Sequence, residues 1–248
     1  VTETQVGAEP VGGGLRARMA RMWRARCDRR ATRQVLVLGD SHVRVFEHWW
    51  FMWALPWVRW HIVYVPGGTA SGLYNPRAVT QAYARLTQAL RAIPSDLVVL
   101  NLGEVDTGYT IWVRAQRDGI DPMQAMAHAA NNYIRFIREI HSGCRLLVLS
   151  APLPTLSDDF EPTDDVLTTR KAVNHSQEER TALTLAFNDR IAAACADLGV
   201  PYLDDREASL APHGLVWPQW QREGGPDHHY NRKTYAKWLA RGLKPFLK

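Results

Sequence analysis

Two short runs of residues carry groups that could make and break an ester bond. The first is Gly39-Asp40-Ser41-His42, which closes the apolar run QVLVLGD (34–40). A serine hydroxyl is a poor nucleophile until a base takes its proton. The second run, Gly225-Pro226-Asp227-His228-His229-Tyr230-Asn231, offers imidazoles as that base and a carboxylate to orient one of them. Plainer readings exist for both. Ser41 could cap a helix, and the Asp–His run could form a turn or cap before the last helix. A metal on His228 and His229 is disfavoured, because adjacent side chains point apart and the sequence shows no third ligand. A third run, Gly103-Glu104-Val105-Asp106, ends another apolar stretch. Its two carboxylates could bind substrate hydroxyls or pair with arginines.

Such residues act together only if the chain folds to collect them. QVLVLGD, HIVYV (61–65), DLVVLNLG (96–103), RLLVLSA (145–151) and VPYLD (200–204) read as strands. An aromatic-rich helix is expected after the first strand, and further helices over 76–92, 122–141, 177–198 and 231–246. Strands that are apolar throughout belong in a parallel sheet covered on both faces. The alternation predicts an α/β, doubly wound, five-stranded parallel sheet, whose ligands bind beyond the carboxyl ends of the strands. Ser41 and the 103–106 run fall at those ends, and the Asp–His run precedes the last helix. Two stretches break the rhythm. FEHWWFMWALPWVRW (46–60) has five Trp, expected either to pack the core or to wall an acyl pocket or stack on sugars. The polar insertion at 154–176 is long enough to be a lid or another functional loop.

Composition narrows the class. The 248 residues are 46% hydrophobic and 22% charged, which excludes a disordered or fibrous chain. The net charge of +5 is local: residues 15–33 hold eight Arg and one Asp, residues 1–14 two Glu, and the rest sums to zero. A nucleic-acid partner is therefore not expected. Residues 1–33 read as a flexible start and a basic amphipathic helix over 15–31, with Leu15, Met19, Met22, Trp23 and Cys27 on one stripe. That helix could dock on the domain, touch an anionic membrane or meet substrate phosphates. Residues 34–248 read as one catalytic domain. The three cysteines, Cys27, Cys144 and Cys195, are widely spaced and have no zinc-site pattern, which fits a reducing, cytoplasmic setting.

In order and strand placement, these runs resemble the SGNH (GDSL-type) hydrolase family over residues 34–240. The resemblance implies a flavodoxin-like sheet, Ser41 as nucleophile, Asp227 as acid and His229 as base. It also implies that the backbone N–H groups of Ser41 and Gly72, in GTASGL (68–73), hold the oxyanion. His229 is preferred to His228 because His229-Tyr230-Asn231 is similar to the family's H-L-N ending. His228, the rival base, is otherwise expected with Glu104 and Asp106 around the substrate. Two departures stand out. Val105 replaces an oxyanion asparagine, a kind of loss that costs about 3–4 kcal/mol elsewhere, with Asn101 as a substitute candidate. The acid also lies closer to the base than the family's D-x-x-H. The implied reaction is acyl transfer through an acyl-enzyme, with water or a sugar hydroxyl as acceptor. An Arg-, Ala- and Trp-rich chain with GDSH and GEVD further resembles actinobacterial sugar acyltransferases. That implies no bound cofactor, acyl-CoA as donor co-substrate and a glucosylglycerate-type acceptor. A carboxylesterase, a carbohydrate deacetylase and an inert binding domain are the alternatives.

Overall fold

Strand β1 (Arg33–Gly39) shows how the sheet is covered. Leu36 and Leu38 enter one hydrophobic core, Val35 and Val37 the other, and all four are fully buried. The computed structural model describes residues 31–247. Apart from its last residue, the basic segment at 15–31 lies outside the described residues, as does Cys27. Strands β2 (Val58–Tyr64), β3 (Leu97–Asn101), β4 (Leu146–Leu149) and β5 (Tyr202–Leu203) complete a parallel sheet in the order β2-β1-β3-β4-β5. This is the expected flavodoxin-like order, with its switch point between β1 and β3.

Eight α-helices are present among the described residues: α1 (Trp49–Ala54), α2 (Ala82–Ala92), α3 (Ile111–Asp118), α4 (Pro122–His141), α5 (Asp165–Lys171), α6 (Gln177–Leu198), α7 (Arg206–Ser209) and α8 (Arg232–Gly242). One face of the sheet carries α2, α4 and α6, with Leu86, Tyr133, Phe136 and Phe187 in its core. The other carries α1 and α8 through Phe51, Tyr235 and Leu239. Helices α4 and α6 match expectation to the residue because their caps are written in the chain. Asp121 accepts the Met123 N–H ahead of Pro122, and Ser176 and Glu179 form a reciprocal capping box.

Other boundaries differ. β2 begins at Val58 rather than 61, in register with Arg33, because the Trp57 carbonyl takes the N–H groups of Thr32 and Arg33. α2 begins only at Ala82. Gln81 before it adopts a left-handed φ of 48°, and its side-chain amide donates to the Pro76 and Ala78 carbonyls. A π-helical turn at Asp106–Thr110, helix α3, and helix α5 inside the polar insertion were not expected. Two glycines allow the strand ends to converge. A Cβ on Gly39 would lie 2.1 Å from the Asn101 carbonyl oxygen, and Gly103 has φ 126° with Phe187 packed against its Cα.

Candidate active site

At the carboxyl end of β1 the chain turns into a 3-10 helix, Ser41–Glu47. Asp40 caps it, its Oδ1 accepting the His42 N–H at 2.8 Å. Ser41 leads the helix and is partly exposed. The partner loop is fixed from the other side of the switch point. Asn231 caps α8, its Oδ1 accepting the N–H groups of Lys233 and Thr234, while its own N–H donates to the Trp220 carbonyl. Tyr230 is buried, and its hydroxyl accepts the Leu153 N–H at 2.6 Å. Thr155 donates its hydroxyl to the Asp227 carbonyl at 2.6 Å.

These restraints place His229 Nε2 2.9 Å from Ser41 Oγ and His229 Nδ1 2.8 Å from Asp227 Oδ1. The same Asp227 oxygen accepts the His229 N–H at 2.8 Å. This tight turn is how an acid only two residues ahead of the base reaches it. With Nδ1–H donating to the carboxylate, Nε2 is left to accept the Ser41 proton. Burial and the neighbouring His42 charge hold His229 below the ordinary histidine value despite Asp227, so it stays a neutral base. Burial opposes the charge on Asp227, but the His229 bonds and the Arg222 guanidinium hold its carboxyl well below the usual range. His228, the rival base, is placed differently. Its ring makes no bond to Ser41, burial takes its pKa down to about 3, and its carbonyl accepts from His42 Nε2 at 3.2 Å.

Behind the triad runs a buried chain of ions. His42 Nδ1 lies 2.9 Å from Asp40 Oδ1, and its Nε2 lies 3.6 Å from Glu104 Oε2. Burial works against a charge on His42, but Glu104 and Asp40 outweigh it and raise the pKa to about 9. Glu104 is held by the two terminal guanidinium nitrogens of Arg170, at 2.7 Å each. Burial would raise the Glu104 pKa, yet Arg170 and His42 lower it to about 2. Asp106 is also buried and accepts the N–H groups of Ala70 (2.6 Å) and Ser71 (2.9 Å), tying down the loop after β2. Burial pushes its carboxyl up to about 6 against those bonds. Glu104 and Asp106, expected around the substrate, are both buried and each is bonded within the protein.

The expected oxyanion donors fare differently. The Gly72 N–H donates to Thr69 Oγ1 at 3.0 Å, because the loop closes into a turn around Thr69. The Asn101 amide donates to the Ser150 carbonyl at 2.8 Å, cross-linking β3 to the end of β4. Neither group faces the nucleophile freely. The Ser41 N–H remains, since it precedes the first helical bond, from the Val43 N–H to the Asp40 carbonyl.

The insertion at 154–176 is anchored rather than a free lid. Leu153 and Leu156 are buried, Gln177 donates to the Pro154 carbonyl, Arg180 donates to that of Leu156, and α5 delivers Arg170 to Glu104. Arg170, Arg222 and Thr155 escape sequence reasoning. The one signal for Arg170 is a carboxylate at a buried strand end, which needs a cation from somewhere. The Trp-rich stretch does not wall the nucleophile. The recess of about 70 Å³ at Ser41 is lined instead by Val45, Arg222, His229, Tyr230 and Tyr235, with His42, Arg44 and Arg232. Trp60 packs on Phe46 and Phe51, and Trp49 and Trp53 face solvent. Ligand atoms of Asp227, His228 and His229 come within 4.8 Å of one another. A cation there would compete with the Asp227–His229 and His229–Ser41 bonds.

No family model matches the sequence, and no curated protein matches it. Solved structures do match in fold. An acetyl xylan esterase aligns with TM-score 0.54 and 14% identity, over 87% of this chain and 100% of the other. A GDSL-like lipase from Bacteroides thetaiotaomicron gives 0.54 and 13%, over 92% and 96%. A carbohydrate acetylesterase from Sinorhizobium meliloti gives 0.52 and 15%, over 87% and 100%. The chain has the fold of GDSL/SGNH-type hydrolases. No helix among the described residues is long and apolar enough to cross a membrane.

Proposed function

We propose that this chain, built on the GDSL/SGNH hydrolase fold, is a serine enzyme that moves an acyl group through an acyl-Ser41 intermediate. The observation that carries the reading is the run of bonds from Ser41 Oγ to His229 Nε2 (2.9 Å) and from His229 Nδ1 to Asp227 (2.8 Å). His229 takes the hydroxyl proton as Ser41 Oγ attacks an ester or thioester carbonyl. The tetrahedral oxyanion rests against the Ser41 N–H. The protonated His229 then gives its proton to the departing alkoxide or thiolate. In the second half His229 deprotonates an acceptor hydroxyl, which attacks the acyl carbonyl, and the protonated His229 then returns that proton to the departing Ser41 oxygen. Asp227 stays ionised and orients the imidazole throughout.

The acceptor we assign is a hydroxyl of a glucosylglycerate-type sugar, and the donor a medium-chain acyl-CoA carrying an octanoyl group. Such a transfer serves methylglucose lipopolysaccharide synthesis and takes place in the cytoplasm, where acyl-CoA is held. What supports this finer assignment is the resemblance of the whole sequence to actinobacterial sugar acyltransferases. The residues supply every proton transfer, so acyl-CoA is a co-substrate and no bound cofactor is invoked. A second reading, hydrolysis of a carbohydrate ester, is favoured by the openness of the site. The side chains of Asp227 and His229 are 24% and 26% exposed, within reach of water.

A panel of acyl-CoA chain lengths, with and without glucosylglycerate, separates the two. The transferase reading expects CoA thiol release that depends on acceptor, is fastest with octanoyl-CoA and yields an acylated sugar. Acceptor-independent release with free fatty acid would replace it by the hydrolase.

A further inference from the structure

The proposed chemistry leaves unused a second surface, formed by α1 and α8. Trp49 and Trp53 on α1 are 53% and 61% exposed, and Trp57 just beyond is 38% exposed. The first two flank Trp50, with ring centroids 5.3 and 4.8 Å from it, so the indoles form one cluster. Lys237 of α8 lies over Trp50 at 5.0 Å and joins the two helices at this point. Lys233, Lys237 and Arg241 recur every fourth residue along α8, which puts these three on one stripe, and Lys244 follows just beyond the end of the helix. Among the described residues none of the four is in an ion pair with a carboxylate. The segments that build this face contain no acid. There is no Asp or Glu between Glu47 and Asp96, and none after Asp227. Glu47, at the margin, is already paired with Arg44 and Arg232.

From these features we infer that the α1–α8 face is a docking surface for an anionic lipid bilayer. Indoles are at home where acyl chains meet head groups, and lysines and arginines meet the lipid phosphates. Indoles this exposed beside cations suit insertion into a head-group layer. Trp57 lies beside the first residues of β1, whereas Ser41 follows its last, so the two stand at opposite ends of that strand.

The test uses the full chain and phosphatidylcholine vesicles with and without phosphatidylglycerol, read by co-sedimentation. Two double variants probe the face, Trp49→Ser with Trp53→Ser and Lys237→Glu with Arg241→Glu. Their thermal melts are compared with wild type to show that the fold persists. The expected result is salt-sensitive binding to the anionic vesicles alone, with each double variant lowering the partition coefficient by about ten-fold or more. Absence of vesicle binding, or binding that both variants keep, would overturn the inference and in the second case move the contact elsewhere on the chain. Self-association, or binding of a single-stranded oligonucleotide without vesicle binding, that is lost in these variants would assign the face to a second copy or to nucleic acid instead.

Discussion

The same local geometry occurs twice in this molecule, with opposite outcomes. In Asp40-Ser41-His42, Asp40 Oδ1 accepts both the His42 N–H (2.8 Å) and the His42 ring at Nδ1 (2.9 Å). In Asp227-His228-His229, Asp227 Oδ1 does the same for His229, at 2.8 and 2.8 Å. What differs is the partner of the second ring nitrogen. His42 Nε2 meets two acceptors, the His228 carbonyl and the Glu104 carboxylate, so both nitrogens hold protons. His229 Nε2 meets a hydroxyl that can donate, so it stays free to accept. Burial does not make the difference: the His42 side chain is 1% exposed and that of His229 26%, and burial alone disfavours the His42 charge that Glu104 and Asp40 hold in place. An Asp–x–His pair is thus only half of an instruction, and the residue brought to Nε2 by the fold decides between a fixed cation and a base. The rings are 4.5 Å apart, so the cation also acts on the base and lowers its pKa.

The largest effect should come from breaking the reactive member of the comparison. Ser41→Ala and His229→Ala are each expected to lower kcat/KM by about 10³-fold or more with unchanged thermal melts. An equal loss in His228→Ala would contradict the assignment of roles. Next in size is the buried member. Arg170→Met leaves Glu104 charged and unpaired beside His42, and breaking such a pair costs about 3–5 kcal/mol in a urea titration. A change within error would mean that Glu104 finds another partner.

A subtler consequence concerns pH. His42 has a raised pKa, so its charge contributes stability that is fully present below the ordinary value of 6.5 and is lost as pH rises through about 9. Glu104 has a lowered pKa, so its contribution is full above the ordinary 4.5 and is lost as pH falls through about 2. His42→Gln should flatten the alkaline side of the stability profile. It should also move the acid limb of kcat/KM upward, since the cation that depresses His229 is gone. An acid limb that does not move would show that the two histidines are uncoupled.

Much of this arrangement can be read in the chain, for identifiable reasons. Central strands buried on both faces must be apolar throughout, so β1, β3 and β4 stand out. The edge strand β2 is only half-buried, and its Trp, Arg and His hide its first residues. Helices α4 and α6 carry their caps in sequence. α5 lies in a polar stretch and is held by tertiary bonds such as Arg170–Glu104, which local pattern does not reveal. Ser41, Asp227 and His229 announce themselves by residue type and spacing. The uses of Glu104, Asp106, Gly72 and Asn101 do not, because a carboxylate, an amide or an N–H group takes whichever partner the fold presents. Arg170 and Ser150 are remote from the motifs that they complete, and Thr69, three residues before Gly72, takes its N–H only because the loop closes into a turn.

The central claim is that Ser41, activated by His229, forms a covalent acyl-enzyme, and it can be tested without knowing the substrate. A fluorophosphonate probe, followed by intact-protein mass spectrometry and peptide mapping, reports on the nucleophile directly. The account predicts a single adduct at Ser41 in the wild type, none in Ser41→Ala, much slower labelling in His229→Ala and near-normal labelling in His228→Ala. An adduct at another residue, or labelling that survives in His229→Ala but fails in His228→Ala, would contradict it.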